Sequence, residues 1–449
     1  MQNKTYAPVF LKGSTGKHML RMTFAAYTAL LVVQVADLLA LFYVAAVASE
    51  VEVAGLGVAM TLFFLAFVVN MGCAIAVSTY VAFSSVEDTD DILRSKTTSA
   101  IAWTAMAGFL SSIILLLLMP YLCDLLGLTG AARETAIRYL TILAPVNGVQ
   151  AFAMGCAASM RGLGRAKDGM LITLVGAAVN LAVDPILILY WGLGVDGAAY
   201  GVWAGRVVQV GVGIYLLRKA NLFTGLSLAT HMSHLRPLAR LAAPAAVAGA
   251  AAPVGAAFLM YVVAPFGDAA RSSIFVVDRV SALAFGFAMS LANSIGGIVA
   301  QNYKAGLPER AMKTFATFIM VSSGYMVIAG SAVALMAPMI VDLFGITSPE
   351  GRSITTMYLQ ITGIGWAATS LINGSNAVFQ NTNRPTYSMY MNWLRVFCGV
   401  LPCWQAAQVF GMAEIAIQAY VAGLAACGIA AALFAFSMLR IDQTRTVPG

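Results

Sequence analysis

Twelve long apolar stretches alternate with short polar segments along the whole 449-residue chain. Roughly 20 helical residues cross the ~30 Å hydrocarbon core of a bilayer, so each stretch is long enough to span a membrane. The pattern therefore predicts an all-α membrane protein with twelve transmembrane helices. The predicted spans are 23–48, 54–83, 97–119, 134–158, 169–191, 197–217, 242–265, 273–300, 314–337, 353–378, 387–409 and 414–438.

The composition agrees with this pattern, because 60% of the residues are hydrophobic and only 10% are charged. Ordinary soluble proteins carry roughly 25% charged residues, so a soluble protein is excluded. Most Lys and Arg residues lie in the tails and the even-numbered connections, which the positive-inside rule assigns to the cytoplasm. We therefore expect a multi-pass protein of the cell (inner) membrane with both termini cytoplasmic. The net charge of +7 then gives no reason to expect nucleic-acid binding.

The two halves of the chain repeat each other in sequence. At an offset of 218 residues the recurring pairs are Pro120 and Pro338, Asp124 and Asp342, Gly127 and Gly345, and Thr129 and Thr347. At an offset of 219 they are Tyr139 and Tyr358, Gly155 and Gly374, Arg165 and Arg384, and Met170 and Met389. A fixed register over such a length indicates a duplicated six-helix unit, and an even number of spans makes the two copies parallel.

The polar connection between the sixth and seventh spans divides these copies. We predict an N-terminal lobe at 1–220, a cytoplasmic linker at 221–236, and a C-terminal lobe at 237–449 that ends in a short cytoplasmic tail. Parallel repeats of this kind are typical of secondary transporters, whose solute site lies between the repeats near the bilayer midplane. A duplicated scaffold without a transport role is the alternative.

Two acidic residues stand inside predicted spans, Asp37 in the first and Asp184 in the fifth. A carboxylate at this depth is energetically costly, so such residues usually face the protein interior and bind or carry something. Both lie at a similar depth, and Asn180 is one helical turn from Asp184 on the same face. These residues predict a cation-coupling site of Asp37, Asn180 and Asp184. The alternative is that the two acids only hold helices together.

Three more polar residues could reach the same depth. Asn147 in the fourth span is a further candidate for the coupling site, and Gln34 and Tyr139 are candidates for solute contact or for support of the acids. Pro185 leaves a backbone carbonyl without its helical donor beside Asp184. Oxygen ligands at Asp37, Asn180 and Asp184 suit Na⁺, whereas a buried carboxyl suits H⁺, and the residues do not choose between these ions.

Cysteine and histidine provide no enzyme chemistry. The six cysteines stand singly, without a C-x-x-C pair, and all three histidines lie outside the apolar spans, so neither a metal site nor a disulfide framework is predicted. We expect a transporter, not an enzyme, with no cofactor apart from its coupling ion. Gly197, Gly201 and Gly205 form a smooth ridge that predicts close helix packing. The intramembrane Arg206 and Arg395 are left without a role.

Several motifs give the chain a family resemblance. Arg161-Gly162-Leu163-Gly164 is followed by Asn180, Asp184-Pro185 and the segment Gly192-Leu193-Gly194-Val195-Asp196-Gly197-Ala198-Ala199. In the second half, Leu241-Ala242-Ala243-Pro244 opens the seventh span, and Val299-Ala300-Gln301-Asn302-Tyr303-Lys304-Ala305-Gly306 follows the eighth. This pattern resembles the multidrug and toxic compound extrusion (MATE) family.

The resemblance implies a V-shaped bundle of two six-helix lobes that expels cationic or amphipathic organic solutes in exchange for Na⁺ or H⁺. It implies a cation site at Asp37, Asn180 and Asp184, with Asn147 in a matching polar position. The expected partners are such solutes and membrane lipid, and the expected state is a monomer. The alternative function is a flippase for a lipid-linked headgroup, which shares this duplicated architecture but would need more cationic residues in its cleft.

The chain departs from the family pattern in two ways. The place that matches Pro244 in the first span is occupied by Arg21-Met22-Thr23, so a proline bend is not expected there. At the offset of 219, Asn180 and Asp184 correspond to Gly399 and Cys403, so the second half has no copy of this acid pair. We therefore predict that cation coupling belongs to the N-terminal half alone.

Overall fold

A computed structural model describes residues 8–125, 128–225 and 228–446, and within these ranges the chain is all-helical with twelve long α-helices. The helices are α1 (Thr15–Val47), α2 (Glu50–Glu87), α3 (Asp90–Leu125), α4 (Gly130–Gly162), α5 (Ala166–Pro185), α6 (Gly194–Lys219), α7 (Leu228–Val263), α8 (Gly267–Lys304), α9 (Pro308–Leu343), α10 (Pro349–Asn381), α11 (Pro385–Phe410) and α12 (Ala413–Thr446). Each corresponds to one predicted span. The predicted fold class is confirmed.

Most helices extend past both ends of the span predicted for them, because helical hydrogen bonding continues into the polar segments that flank an apolar run. Of the described helices, ten are long and apolar enough to cross a membrane, and α10 and α11 are more polar than this composition requires. In α10 the polar residues Thr355, Thr362 and Asn376 are buried within the protein. A helix whose polar side chains face its neighbours needs less apolar surface than one that faces lipid.

Local sequence signals fix several helix ends. Ser49 begins α2 with a capping box, in which its backbone N–H donates to Glu52 Oε2 at 2.9 Å and its hydroxyl accepts from the Glu52 N–H. Gly164, between α4 and α5, has a φ of +79°, which a residue with a side chain rarely adopts. The glycine of the Arg161-Gly162-Leu163-Gly164 motif therefore turns the chain from one helix into the next.

The described helices form two compact units. The first comprises Met1–Lys12 and Phe24–Ala246, and the second comprises Gly13–Thr23 and Val247–Gly449. The division falls inside α7, and the predicted linker at 221–236 is helical from Leu228 onward. The boundary was placed too early because the polar residues His231 and His234 suggested a loop. The structure instead bonds them to the first unit, where Trp103 donates to the His231 carbonyl at 2.9 Å and Tyr80 pairs with His234 at 3.0 Å.

Each unit is organised around the fourth helix of its repeat. In the first unit α4 packs against α2, α3, α5 and α6, and in the second α10 packs against α8, α9, α11 and α12. Small residues allow these approaches, as where Gly330 of α9 meets Gly363 of α10. Because α4 lies at the centre of its unit, the side chains that point away from lipid in α5 and α6 come together beside it.

Candidate functional site

The predicted acid and amide of α5 lie in the interface between α5 and α6. Asp184 is 2% exposed and Asn180 is 5% exposed. A Cβ atom at Gly201 would overlap Asp184 Oδ1, and one at Gly205 would overlap the Asn180 amide. Asp184 and Asn180 are therefore seated on consecutive glycines of α6, and only glycine leaves the room that these side chains occupy.

The same interface continues for one more turn in both directions. Gly197 approaches the Leu187 backbone, where a Cβ would come within 2.9 Å of the Leu187 carbonyl oxygen. At the other end Gly176 of α5 makes room for the Gln209 side chain of α6. The glycine ridge packs closely, as its spacing predicts, and the helix that it receives is the one that bears Asn180 and Asp184.

Asn180 and Asp184 differ in how the protein satisfies them. With its nitrogen toward the backbone, the Asn180 amide donates to the Gly176 carbonyl at 3.2 Å and to the Gly201 carbonyl at 3.0 Å. Among the described residues, no donor reaches Asp184 Oδ1, although this oxygen is buried. Buried polar atoms are normally hydrogen-bonded, so this carboxylate oxygen is suited to accept a proton or a cation.

The backbone changes conformation directly after this acid. Helix α5 ends at Pro185, and residues Ile186–Tyr190 continue it as one π-helical turn. Proline cannot donate an N–H to the preceding turn, which is a common cause of such a change. Turns of this kind occur frequently at functional sites. The carbonyl that Pro185 was predicted to free thus lies next to the buried carboxylate.

Asp37 faces the same region from α1. Its side chain is exposed, and it lies about three turns before α1 ends at Val47. Asp37 interacts electrostatically with Asp184, and both acids interact with Tyr139, which is 1% exposed on α4. The first unit therefore brings Asp37, Tyr139, Asn180 and Asp184 into one neighbourhood. Gln34 lies half-buried three residues before Asp37 on the same helix.

Asn147 has a different environment. Its amide donates to Ser111 Oγ at 2.9 Å and to the Gly108 carbonyl at 3.2 Å, both on α3. Its side-chain oxygen accepts from Asn70 Nδ2 of α2 at 2.6 Å. Both amide hydrogens and one lone pair of Asn147 thus serve contacts between helices. Its assignment to the cation site stays a prediction.

Arg206 belongs to the site region, although the sequence gave it no role. It lies on α6 one residue after Gly205, interacts electrostatically with Asp37, and donates through Nη1 to Gln209 Oε1 at 3.1 Å. The signal was present, because a basic residue within a span usually has an acidic partner. What could not be predicted was which acid it would face.

The corresponding place in the second unit is filled differently. A Cβ at Gly399 of α11 would come within 2.8 Å of the ring of Tyr420 of α12, and Cys403 is fully buried. Tyr420 follows Gly201 by 219 residues, the offset that relates the repeats. In one unit the α5 side chains lie on glycines of α6, and in the other a tyrosine of the last helix lies on a glycine of α11.

Asp278 is an acid that the sequence reasoning passed over. It lies inside the predicted span 273–300, it is exposed on α8, and it interacts electrostatically with Tyr358, the counterpart of Tyr139. Its position within an apolar run was the signal that could have found it. Among the described residues there is no cluster of three or more His, Cys, Asp or Glu that could hold a metal ion.

Comparison with known proteins agrees with this architecture. The MatE family model matches residues 25–186 and 244–405, which together are more than half of the chain. The two matches are displaced by 219 residues (25 to 244, and 186 to 405), the offset at which Tyr139 and Tyr358 recur. The chain belongs to the MatE family, the multidrug and toxic compound extrusion transporters, as the motifs predicted.

Among curated proteins, a FAD transporter of Shewanella oneidensis is 22% identical over 250 residues, which are 54% of this chain and 55% of that protein. An uncharacterised 21 kDa protein of Pseudomonas savastanoi is 30% identical over 152 residues, which are 34% of this chain and 50% of that protein. The chain thus spans about half the length of the curated relatives that it matches.

Solved structures show the same fold at low sequence identity. A MOP superfamily transporter from Pyrococcus furiosus superposes with a TM-score of 0.88 at 18% identity and covers 100% of both chains. A Vibrio cholerae MATE transporter, solved as an aspartate-to-asparagine mutant, superposes with a TM-score of 0.88 at 19% identity over 95% of this chain and 97% of its own. The chain is therefore a multi-pass membrane transporter of this fold.

Proposed function

We propose that the protein is a secondary antiporter that exports an organic solute in exchange for H⁺ or Na⁺, coupled through Asp37, Asn180 and Asp184. The observation that carries this proposal is the buried Asp184 oxygen without a donor, beside Asn180 and within electrostatic range of Asp37. A membrane transporter gains nothing from such a costly group unless it is used. Membership of the MatE family supports export as the direction of transport.

In this mechanism Asp184 is the residue that changes partner. When a proton or Na⁺ binds at Asp184, the carboxylate oxygen is satisfied and its charge is neutralised, so the α5–α6 interface is more stable than with the bare carboxylate. Asn180 supplies a second oxygen or amide one turn away. A ligand shifts a conformational equilibrium only by its differential affinity for the two states, and the tight seat on Gly201 and Gly205 provides that difference.

The solute class follows from the family and from one relative. Amphipathic organic cations are the first candidate, because MATE proteins include a multidrug resistance transporter solved in an outward-facing conformation. A flavin nucleotide is the second candidate, because one relative is a FAD transporter. We further propose that both termini face the cytoplasm, since the basic residues concentrate at that end of the spans.

The experiment is gradient-driven transport in proteoliposomes, with ethidium and FAD as separate probes and a pH or Na⁺ gradient imposed separately. We expect one gradient to drive export of one probe, and we expect the Asp184→Asn variant to lose this coupled transport. Asp91→Asn is the matched control, because Asp91 is exposed and paired only with Arg94 at a helix start. Full gradient-driven transport in both Asp37→Asn and Asp184→Asn would refute the assignment.

A further inference from the structure

Arg206 is the one charged residue near the acid pair that the proposed mechanism leaves unused. It lies in the middle of α6, on the helix that seats Asn180 and Asp184, and it is within electrostatic range of Asp37. An arginine at this depth of a membrane is costly without a negative partner. Its charge must therefore be included in any account of how the site binds a cation.

The guanidinium is held in a fixed position by α5. Arg206 Nη1 donates to Gln209 Oε1 at 3.1 Å, and Gln209 Nε2 donates to the Thr173 carbonyl at 3.1 Å. Gln209 is 4% exposed and fills the space beside Gly176. A glutamine that is locked between two helices thus positions Arg206, and this places its charge by design of the packing instead of leaving it to a flexible side chain.

Arg206 has hydrogen-bonding capacity left after this contact. Its Nε is buried and has no partner among the described residues, and the guanidinium does not form a direct ion pair with Asp37. The two groups therefore act on each other through space. At low dielectric such an interaction is strong even without contact.

We propose that Arg206 is the fixed counter-charge of Asp37, so that the site exchanges one cation per transport cycle, through Asp184. Two carboxylates and one guanidinium leave a single net negative charge in this region of the first unit. Asp37 keeps its internal partner throughout the cycle, and only Asp184 lacks one. This inference rests on the proposed function, because it sets the number of coupling ions of that same site.

The number of coupled cations can be measured as an exponent. In proteoliposomes clamped at zero membrane potential, a cation gradient of about tenfold holds a solute gradient of about tenfold if one cation is exchanged, and of about a hundredfold if two are exchanged. The probes are ethidium and FAD, as above. For the wild-type protein we expect an exponent of one.

Three variants test the role of Arg206. Arg206→Met releases Asp37 from its counter-charge, so we expect the exponent to rise toward two. Arg206→Lys keeps the charge and should keep an exponent of one. Arg395→Gln is the matched control, since it removes the other intramembrane arginine, which lies in the second unit, and should leave the exponent unchanged. An exponent of one in Arg206→Met would overturn the proposal.

The charge-balanced double variant separates this proposal from a structural role. Asp37→Asn alone leaves Arg206 unbalanced beside Asp184, and we expect it to lose coupled transport. Adding Arg206→Met to Asp37→Asn removes both charges, so coupled transport should return with an exponent of one. If the double variant is no more active than Asp37→Asn, the two residues are not counter-charges.

A second measurement needs no transported solute, so it decides the inference even if neither probe moves in wild-type proteoliposomes and the proposed function fails. Truncation in Arg206→Ala leaves room for a free guanidinium ion beside Asp37. We expect millimolar guanidinium to raise the unfolding temperature of detergent-solubilised Arg206→Ala by a few degrees and to have no such effect on Arg395→Ala. Equal responses of Arg206→Ala with and without an added Asp37→Asn substitution would overturn the proposal.

Discussion

At Asp184, one oxygen of a carboxylate is buried without a protein donor, while Asn180 one turn away finds two backbone carbonyls. Both side chains depend on the missing Cβ atoms of α6. The protein therefore spends packing precision on a group that weakens its own fold. Such local conflicts between stability and polarity are typical of functional sites.

The seat of Asp184 gives a prediction at a single atom. Gly201→Ala places a Cβ where Asp184 Oδ1 lies, so the carboxylate must move. We expect gradient-driven transport to fall by about tenfold or more, because small misplacements of a binding group are costly. The measurement is ethidium or FAD export from the proteoliposomes described above.

Gly211→Ala is the matched control for this change. Gly211 lies on the same helix, and a Cβ there meets no atom within 4 Å. Replacing an unconstrained helical glycine by alanine favours the helix by roughly 0.5–1 kcal/mol, so this variant should be at least as stable as the wild type and equally active. Equal activity in Gly201→Ala and Gly211→Ala would show that the seat does not matter.

At the scale of helices, Asn147 joins three elements of the first unit. It bonds to Asn70 of α2 and to Gly108 and Ser111 of α3 from its place at the centre of α4. Interhelical hydrogen bonds of this kind are retained in a membrane interior because the freed groups would find no water there. The residue therefore stabilises the arrangement of the helices that surround the site.

Removal of this side chain should be seen first in stability. Asn147→Leu breaks these hydrogen bonds and leaves Asn70 without its partner, so we expect a loss of about 1–2 kcal/mol. The measurement is thermal unfolding in detergent. Thr141→Val is the control on the same helix, since Thr141 is exposed and bonds only to the Ile137 carbonyl of its own helix. An unchanged unfolding temperature in Asn147→Leu would instead favour a role as ion ligand.

At the scale of the whole molecule, the two repeats keep one fold and differ in chemistry. The interface that holds Asp184 on Gly201 in the first unit holds Tyr420 on Gly399 in the second. Exchange of a large and a small residue between facing helices preserves volume, so the packing survives while the carboxylate is lost. Duplication thus fixes the scaffold and leaves each unit free to acquire its own polar residues.

This asymmetry predicts that the acid of the second unit is not a coupling residue. Asp278→Asn should leave the exponent that relates solute gradient to cation gradient unchanged, and any effect should be on the solute concentration that gives half-maximal transport. The static-gradient measurement and a concentration series provide both values. A lowered exponent in Asp278→Asn would assign coupling to both units.

The span pattern, the repeat and the acid pair could all be read from the sequence, because each depends on residue type and spacing along one helix. Twelve spans follow from apolar length alone, and the offset of 219 follows from recurring residues such as Tyr139 and Tyr358. The helical end of α7 and the role of Asn147 could not be read. They depend on which neighbour a polar side chain meets, and periodicity does not report that.

The sequence by itself determined that the chain is a duplicated helical membrane protein with carboxylates at Asp37 and Asp184, since the bilayer restricts a spanning segment to helix and makes buried charge rare. Only the tertiary structure decided which groups meet. It seated Asp184 on Gly201, gave the hydrogen bonds of Asn147 to α2 and α3, and set Arg206 opposite Asp37. Those outcomes depend on how helices distant in sequence are rotated and aligned against each other, which is set by close packing of small residues across interfaces and not by any spacing within one helix.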